Sequence, residues 1–331
     1  MANSCRICGN QTGNRVHRAR EMMFGTRDAF DYVECGGCGT LQIAEVPDDL
    51  SRYYPGKYFA FASAEETDLG ATLARRIGAR LAGEYLRTGH SAIGKFVLDR
   101  KPWLADHFPP SLSDPVLGID RKSRILDLGC GNGRLLQALH YFGFTDLEGA
   151  DAFIDADISY STGVKIYKRT LDDLRSEYDL VMLHHAFEHF PDPLASMRQL
   201  HRIVAPGSFC LIRVPIVNYA WERYGVNWVQ LDAPRHLFLY TEQSLRLIAE
   251  QCGFECVKTV YDSTAFQFWA SEQYVRDIPL TDERSYEIQP DKSIFRREQI
   301  AAWESEAAAL NRSGRGDQAA FYFRKLGNKN V

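Results

Sequence analysis

The sequence lacks three features, and each absence excludes a class of protein. No stretch of it approaches the 18 uninterrupted apolar residues that a membrane-spanning helix needs. It has no basic excess, since 39 lysines and arginines stand against 43 aspartates and glutamates, a formal net charge of −4. This balance argues against nucleic acid as a partner, although a local basic patch is compatible with it. The first ten residues, MANSCRICGN, contain no apolar core of a secretory signal, which predicts a cytoplasmic protein.

Cysteines are present but are concentrated near the N-terminus, with four of the eight in the first 38 residues. In a reducing cytoplasm they are expected to be metal ligands or small core residues, not a disulfide framework. Cys5 and Cys8 form one CxxC pair, and Cys35 and Cys38 form a second, which is the spacing of a zinc ribbon. Four thiolates complete a tetrahedral shell around Zn²⁺, so the predicted zinc is structural. The four later cysteines are predicted to be core residues.

From residue 124 onward, short apolar stretches alternate with helical patterns. Such alternation predicts an α/β fold with a mainly parallel sheet covered on both faces. The predicted strands are 124–128, 146–151, 163–168, 178–184, 207–214, 254–262 and 319–326. The predicted helices follow the first strand to about Phe142 and cover 192–204 and 241–252. The crossover after the second strand is so short that a short helix or a loop is expected there.

The N-terminal part of the chain has a different pattern. A helical spacing of apolar residues predicts a basic helix over 71–101, and a proline-rich linker follows at 107–115. We therefore divide the chain into a zinc-binding module, a helical linker and an α/β domain, at residues 1–60, 61–115 and 116–331. The basic helix is interpreted either as a solvated surface or as a peripheral contact with anionic lipid.

The strongest chemical signal is the segment ILDLGCGNGRLL. Here an apolar strand runs directly into Gly129, Gly131 and Gly133, and a helix follows. Glycines permit a tight turn and close approach of a ligand, and open α/β sheets bind ligands at the carboxyl ends of their strands. The dinucleotide fingerprint GxGxxG requires another glycine where this chain has Arg134. The spacing is GxGxG with Asp127 before it, and an acid beside the turn suits the cationic S-adenosylmethionine better than a pyrophosphate.

A second acid supports this interpretation. Asp151 ends the next predicted strand, where a carboxylate can accept hydrogen bonds from both hydroxyls of a ribose. Asp172, after the third strand, is predicted at the adenine edge, and Phe153 is predicted to stack on the adenine ring. The alternative is that the glycines serve only a tight turn and that Asp151 caps a helix.

The segments DLGCGNG and YDLVMLHHAFEHFPDP together resemble the class I S-adenosylmethionine-dependent methyltransferases, especially the branch with the ubiquinone-biosynthesis O-methyltransferases. The resemblance covers about residues 120–263 and includes an EH-x-x-DP-like segment that begins at Glu188. It implies a Rossmann-like seven-stranded sheet whose last strand, 319–326, is inserted antiparallel. It also implies cofactor contacts at Asp127, Gly129, Gly131, Asp151 and the segment around Leu183 and His184.

A zinc module joined to such a domain resembles two narrower groups. One is a ribosomal-RNA methyltransferase type with an N-terminal zinc site, and the other is a set of bacterial sugar methyltransferases with a CxxC…CxxC module. The acidic composition and the tyrosine-bearing stretch DDLSRYYPGKYF favour the second group. The sequence thus predicts methylation of a sugar or glycan intermediate, on oxygen in preference to carbon. The alternatives are an RNA methyltransferase and a non-catalytic binding protein, and the oligomeric state is left open.

The acceptor and its base are expected at the carboxyl ends of the fourth and fifth strands. His185 and His236 are the candidate general bases, since a histidine pKa near neutrality suits proton removal at cellular pH, and Glu188 is a candidate orienting partner. Arg235 is a candidate clamp for an anionic acceptor group. His189 is predicted to be structural.

Aromatic residues are expected around the acceptor. Tyr53, Tyr54 and Tyr58 are expected to close the site from the N-terminal side. Three further aromatic residues are interpreted either as an acceptor pocket or as loop packing, namely Trp221, Tyr224 and Trp228.

Overall fold

The computed structural model of the protein describes residues 4–54, 68–70 and 72–327. Its strands form two sheets, a small antiparallel sheet and a large mixed one. In chain order the strands are β1 (Arg15–Arg20), β2 (Ala29–Glu34), β3 (Leu41–Ile43), β4 (Arg124–Leu128), β5 (Asp146–Ala150), β6 (Ile158–Ser159), β7 (Lys165–Tyr167), β8 (Tyr178–His184), β9 (Val204–Pro215), β10 (Phe238–Leu239), β11 (Phe254–Tyr261) and β12 (Gln318–Lys325). The α-helices are α1 (Leu73–Thr88), α2 (Ala92–Arg100), α3 (Arg134–Tyr141), α4 (Pro193–Ile203), α5 (Tyr219–Tyr224), α6 (Glu242–Gln251), α7 (Phe266–Val275) and α8 (Arg297–Arg312).

The large sheet has the strand order β11, β12, β9, β8, β4, β5, β7, β6. Its central strands pair in parallel from β9 to β7, whereas β12 runs antiparallel to both of its neighbours, β9 and β11. The two-residue strand β6 is added at the outer edge. The other seven strands form the predicted Rossmann-like sheet with its inserted last strand, so the predicted fold class is confirmed. The carboxyl ends of β4, β5, β8 and β9 meet at one edge, where such sheets bind ligands.

Helix caps position the loop that follows β8. The Asp192 carboxylate accepts a hydrogen bond from the backbone N–H of Ala195 at 2.9 Å, and Pro193 occupies the first turn of α4. Both residues favour a helix start, because a carboxylate satisfies a free N–H group and proline has none to satisfy. The EH-x-x-DP-like segment therefore ends in a helix start that anchors the loop carrying Glu188 and His189.

The short second crossover contains no α-helix. After β5 the chain passes through a loop into β6, and β6 then forms a narrow hairpin with β7. Gly163 lies in this hairpin with a φ of +89°, a conformation that glycine adopts without strain. The loop alternative predicted from the sequence is thus the one observed.

Residues 72–101 form two helices where the sequence predicted one. Gly89 ends α1 in the left-handed region with a φ of +72°, and the Ser91 side chain caps α2. Two of the apolar residues whose spacing predicted the helix do not face the core, since Leu73 and Ile77 are 73% and 51% exposed. The buried face of α1 consists of small residues, namely Gly78, Ala79, Ala82 and Gly83.

The small sheet contains β1, β2, β3 and β10, so one of its strands comes from the region after α5. Residues between β11 and β12 form α7 and α8, two helices that the sequence analysis did not predict. This insertion also reaches the small sheet's loops, because the backbone N–H groups of Leu280 and Thr281 donate to the carbonyls of Met22 and Met23. Among the described residues, no helix has the length and apolar character needed to cross a membrane.

Candidate active site

The four N-terminal cysteines converge in space. The Cys5 and Cys38 Sγ atoms are 3.6 Å apart, the Cys8 and Cys35 Sγ atoms are 3.5 Å apart, and all four lie within 4.8 Å of one another. Thiolates at about 2.3 Å from a tetrahedral Zn²⁺ lie about 3.8 Å from each other. The cluster therefore fits the predicted structural zinc, and the identity of the metal stays a prediction.

Both CxxC pairs have the same backbone geometry. The N–H of Gly9 donates to the carbonyl of Cys5, and the N–H of Gly39 donates to the carbonyl of Cys35, each at 2.9 Å. Both glycines have a positive φ, +74° and +72°, which explains why glycine follows each pair. The N–H of Gly37 also points at the Cys35 Sγ from 3.3 Å, and such contacts stabilise a thiolate.

The glycine turn after β4 is held to the end of β5. One oxygen of the buried Asp151 carboxylate accepts from the N–H of Gly131 at 2.8 Å, and the other accepts from the N–H of Phe153 at 2.8 Å. Gly129 has a φ of +77°, and a Cβ there would lie 2.6 Å from the Cβ of Ala186. The structure therefore brings the turn, Asp151 and the end of β8 together, as predicted, and each carboxylate oxygen keeps a lone pair for a further donor.

Asp127 lies buried beside this turn, with 3% of its surface exposed. Burial and the negative charge of Asp151 raise the pKa of Asp127 to about 7. A buried pair of acids of this kind is stabilised by a ligand that brings positive charge or hydroxyl donors. The site thus has the electrostatic character expected for a cationic ligand.

Other predicted cofactor residues occupy different surroundings. Phe153 is 72% exposed, and its ring stacks on Tyr54 with a centroid distance of 6.2 Å. His184 ends β8, and its buried Nε2 has no hydrogen-bond partner among the described residues. Burial, together with the charge of Arg213, lowers the pKa of His184 to about 3, so the ring is neutral. Asp172 is exposed, and its carboxylate accepts from Gln199 on α4. A contact of Asp172 with adenine stays a prediction.

A polar cluster surrounds Glu188, whose side chain is fully buried. The His236 Nε2 lies 3.9 Å from its Oε1, and the His185 Nδ1 lies 3.4 Å from the same oxygen. Burial opposes ionisation of Glu188, but the imidazoles of His185, His189 and His236 outweigh that effect and lower its pKa to about 2. The structure thus brings the predicted bases and their orienting partner together, although His236 is 48 residues away in the chain.

The two candidate bases differ in their hydrogen bonds. The His185 Nε2 accepts from the guanidinium of Arg213, a contact that the sequence did not reveal. His185 also has a φ of +52°, which is strained for a non-glycine residue and is typical of functional sites. The His236 Nδ1 lies 2.8 Å from the carbonyl oxygen of Gln230, so it is the protonated nitrogen and Nε2 carries the lone pair.

We expected Arg235 to be accessible to an anionic acceptor group, but the structure buries it. It is 1% exposed, and its guanidinium donates to Glu21 at 3.0 Å, to Asp232 at 2.6 and 2.9 Å, and to the carbonyl of Tyr53 at 3.0 Å. It therefore joins the N-terminal region to the core instead. Tyr32 makes a similar link, since its hydroxyl donates to the carbonyl of His236 at 2.8 Å.

The aromatic residues of the neighbouring loop pack in the core. Trp228 is fully buried, and its indole N–H donates to Asp317 at 2.8 Å. Trp221 and Tyr224 are buried as well, which favours the packing interpretation for all three. Tyr54 does reach the site, with its hydroxyl 3.4 Å from the His189 Nδ1. Tyr58 lies outside the described residues.

Comparison with known proteins agrees with this geometry. Residues 104–259 match the model of a family described as a methyltransferase domain. The match includes the glycine turn, both buried acids and the loop that carries Glu188. Residues 104–259, a little under half of the chain, therefore match a methyltransferase domain, and the motifs that they contain resemble those of the class I, S-adenosylmethionine-dependent type.

Curated relatives include ubiquinone biosynthesis O-methyltransferases. The protein from Pseudomonas syringae pv. tomato is 34% identical over 125 residues, which cover 34% of this chain and 54% of that protein. The protein from Bordetella avium is 33% identical over 150 residues, which cover 40% of this chain and 62% of that protein. The chain thus spans about half the length of the curated relatives it matches.

Solved structures similar to this chain include a putative sarcosine dimethylglycine methyltransferase from Galdieria sulphuraria. It is 17% identical, with a TM-score of 0.41 over 72% of this chain and 89% of that one. Another is a complex between the Haloferax volcanii Trm112 methyltransferase activator and a putative methyltransferase, also 17% identical, with a TM-score of 0.44 over 74% and 98% of the two chains.

Proposed function

We propose that the protein transfers a methyl group from S-adenosylmethionine to an oxygen atom of a small acceptor molecule. The observation that carries the proposal is the pair of buried acids, Asp127 and Asp151, beside the glycine turn of a methyltransferase domain. When bound, S-adenosylmethionine supplies an electrophilic methyl group, whose carbon–sulfur bond breaks as a carbon–oxygen bond forms and the sulfur keeps the electron pair. The names of the curated relatives favour oxygen as the acceptor atom.

The residues at the strand ends have distinct roles in this proposal. The Asp127 carboxylate attracts the α-ammonium group of the cofactor, which favours its ionised form. Asp151 already accepts two backbone N–H groups, and its remaining lone pairs accept the ribose hydroxyls. The exposed ring of Phe153 stacks on the adenine. His184 offers the cofactor its Nε2, which has no partner in the part of the chain that the structure describes, from the end of β8.

An acceptor hydroxyl loses its proton when it is methylated, so the site needs a base. His236 is the better placed of the two candidates, because its Nδ1 lies against the carbonyl of Gln230 and no N–H of the described residues occupies its Nε2. The corresponding lone pair of His185 is occupied by Arg213. We therefore assign the proton to the His236 Nε2. The negative charge of Glu188, 3.9 Å away, stabilises the imidazolium that forms.

A sugar or glycan intermediate remains our proposed acceptor. The support is the combination of a methyltransferase domain with a four-cysteine module, which resembles that of bacterial sugar methyltransferases. The module lies against the site, since β3 pairs with β10, just after His236. A structural zinc there would hold Tyr32 against the backbone of His236 and so help position the base.

Calorimetry tests the cofactor half of the proposal. Wild-type protein should bind S-adenosylhomocysteine, and Asp151→Ala should weaken that binding at least ten-fold, which corresponds to about 1.4 kcal/mol. Asp146→Ala is the matched control, because Asp146 is an exposed aspartate at the opposite end of the same strand. No heat with wild-type protein, or equal affinity in Asp151→Ala and Asp146→Ala, would contradict the proposal.

A panel of acceptor molecules tests the proposed acceptor class. The protein is incubated with S-adenosylmethionine and either nucleotide-linked sugars or phenolic compounds, and release of S-adenosylhomocysteine is measured. Turnover with a sugar supports the proposed class. Turnover with phenolic compounds alone would show that the acceptor is a phenol and not a sugar. The assignment as an O-methyltransferase would then still hold.

A further inference from the structure

We infer that Glu188, His189 and His236 form a second metal site, which binds a divalent transition-metal ion beside the methyl-transfer position. One ligand atom from each residue lies within 4.8 Å of the others. This site is separate from the cysteine cluster, shares no residue with it and differs from it in ligand chemistry. The role of the ion, though not its binding, rests on the function proposed above.

The Glu188 carboxylate makes no hydrogen bond with the described residues. Its side chain is fully buried, and the His185 Nδ1, 3.4 Å from Oε1, lies near it without making a hydrogen bond, so neither oxygen receives one from the described residues. A buried carboxylate without donors is strongly disfavoured unless a cation is close. Arg235, the residue before His236, does not supply this cation, because its guanidinium donates to Glu21, Asp232 and a backbone carbonyl.

The hydrogen bonds of His189 and His236 determine which ring nitrogen is protonated. The His189 Nδ1 lies 2.8 Å from the carbonyl oxygen of Arg235, and the His236 Nδ1 lies 2.8 Å from the carbonyl oxygen of Gln230. A carbonyl oxygen only accepts, so both Nδ1 atoms carry a proton and both Nε2 atoms carry a lone pair. Histidines that bind metals usually donate their other ring N–H in this way to a carbonyl or carboxylate.

The ligand atoms of the cluster are spaced somewhat more widely than they would be around a bound metal ion. The His236 Nε2 and the Glu188 Oε1 are 3.9 Å apart, and the two imidazole rings are in contact with centroids 4.9 Å apart. Ligands at about 2.1 Å from a metal ion lie about 3.0 to 3.4 Å from each other. Since the ligand atoms lie within 4.8 Å of one another, the cluster needs to contract by at most about 1.8 Å, which side-chain rotations provide.

The donor set indicates the class of ion. Two imidazoles and one carboxylate suit Zn²⁺, Fe²⁺ or Co²⁺, whereas Mg²⁺ and Ca²⁺ prefer oxygen ligands. Three protein ligands also leave a coordination position open. The ion would bind the acceptor oxygen there and lower the pKa of that hydroxyl, which then loses its proton to water. In the metal-bound protein His236 is thus a ligand, and the ion takes over the activation of the acceptor.

Cobalt loading tests the inference, because Co²⁺ bound to thiolates gives an intense charge-transfer band that imidazole and carboxylate ligands do not give. The full-length protein is freed of metal under reducing conditions and dialysed against Co²⁺, and the bound ion is counted by elemental analysis. We expect two ions per wild-type chain. Glu188→Gln should bind one, with an undiminished thiolate band that shows the N-terminal module to be intact.

Two further variants make the outcome decisive. Glu255→Gln removes an exposed carboxylate from β11 and should keep both ions. His236→Asn should lose the same ion as Glu188→Gln. The inference is overturned if wild-type protein binds only the thiolate-bound ion, or if Glu188→Gln still binds two. Binding of S-adenosylhomocysteine is measured in parallel, so that loss of the second ion with intact cofactor binding separates this inference from the proposed function.

Discussion

Replacing Asp127 by asparagine tests whether the acid beside the glycine turn is kept for ligand binding at the expense of stability. Asp127 is buried, and its folded-state pKa is about 7 against a usual value of 3.8. The unfolded chain therefore releases this proton at lower pH than the folded protein does. Between these two pKa values the folded state holds more protons, so the free energy of unfolding falls as pH rises.

The size of the effect follows from the pKa difference. A difference of about 3 pKa units, at about 1.4 kcal/mol per unit, gives an upper limit of about 4 kcal/mol at pH 8. Asparagine carries no charge and avoids this penalty. The variant should consequently be more stable than wild type at pH 8, and its advantage should be smaller at pH 5 by up to about 3 kcal/mol.

The assay is denaturant-induced unfolding of the ligand-free protein at the two pH values. Asp146→Asn is the control, because Asp146 is an exposed residue at the other end of β5 and should not change stability with pH in this way. Calorimetry at pH 8 measures how the same substitution changes cofactor affinity. Loss of a charged hydrogen bond, about 1.5 to 3 kcal/mol, should weaken cofactor binding at least ten-fold.

Two results would refute this reasoning. The first is a variant whose stability relative to wild type is the same at pH 5 and pH 8, since that would mean that Asp127 titrates at its ordinary pKa. The second is an increase in stability with unchanged cofactor affinity, since the acid would then have no part in binding.

Three other predictions concern separate parts of the molecule. Cys35→Ser should release the predicted zinc, measured by elemental analysis, and a full metal content would remove this cysteine from the ligand set. Arg235→Ala should lower the free energy of unfolding by about 3 to 5 kcal/mol, because it leaves the carboxylates of Glu21 and Asp232 unpaired. A loss below about 1 kcal/mol in denaturant-induced unfolding would show that these ion pairs are dispensable for stability. Gly129→Ala should be destabilised by about 1 to 3 kcal/mol, since its Cβ would meet the Ala186 Cβ at 2.6 Å at a positive φ, and a thermal midpoint equal to that of wild type would contradict this.

Local patterns were sufficient to predict the α/β core. The strand at β4 and the glycine turn after it depend on neighbouring residues, and so do the helix start at Asp192 and the spacing of the two CxxC pairs. The chemistry of these segments is local as well, because glycine permits a positive φ, an acid caps a helix, and closely spaced thiolates bind zinc. The seven-stranded order came from the resemblance to a family and not from periodicity.

Periodicity failed where tertiary contacts decide burial. In α1 the apolar residues Leu73 and Ile77 face outward, and the residues buried against the rest of the protein are glycines and alanines. The helices α7 and α8 were missed, and α7 has almost no separation of apolar and polar faces because most of its residues are buried. A helix covered on all sides carries no amphipathic signal.

The sequence by itself determined which chemical groups are available: a glycine turn with two acids, four cysteines that can bind zinc, and histidines after the fourth strand. Only the tertiary structure decided which of them meet, because His236 reaches Glu188, and Arg235 reaches Glu21, through contacts between distant parts of the chain. Burial then set their charges, by removing water from Asp127 and Glu188 and leaving each carboxylate dependent on its few neighbours. Neither pairing nor burial has a local signature in the chain, which is why both had to be observed.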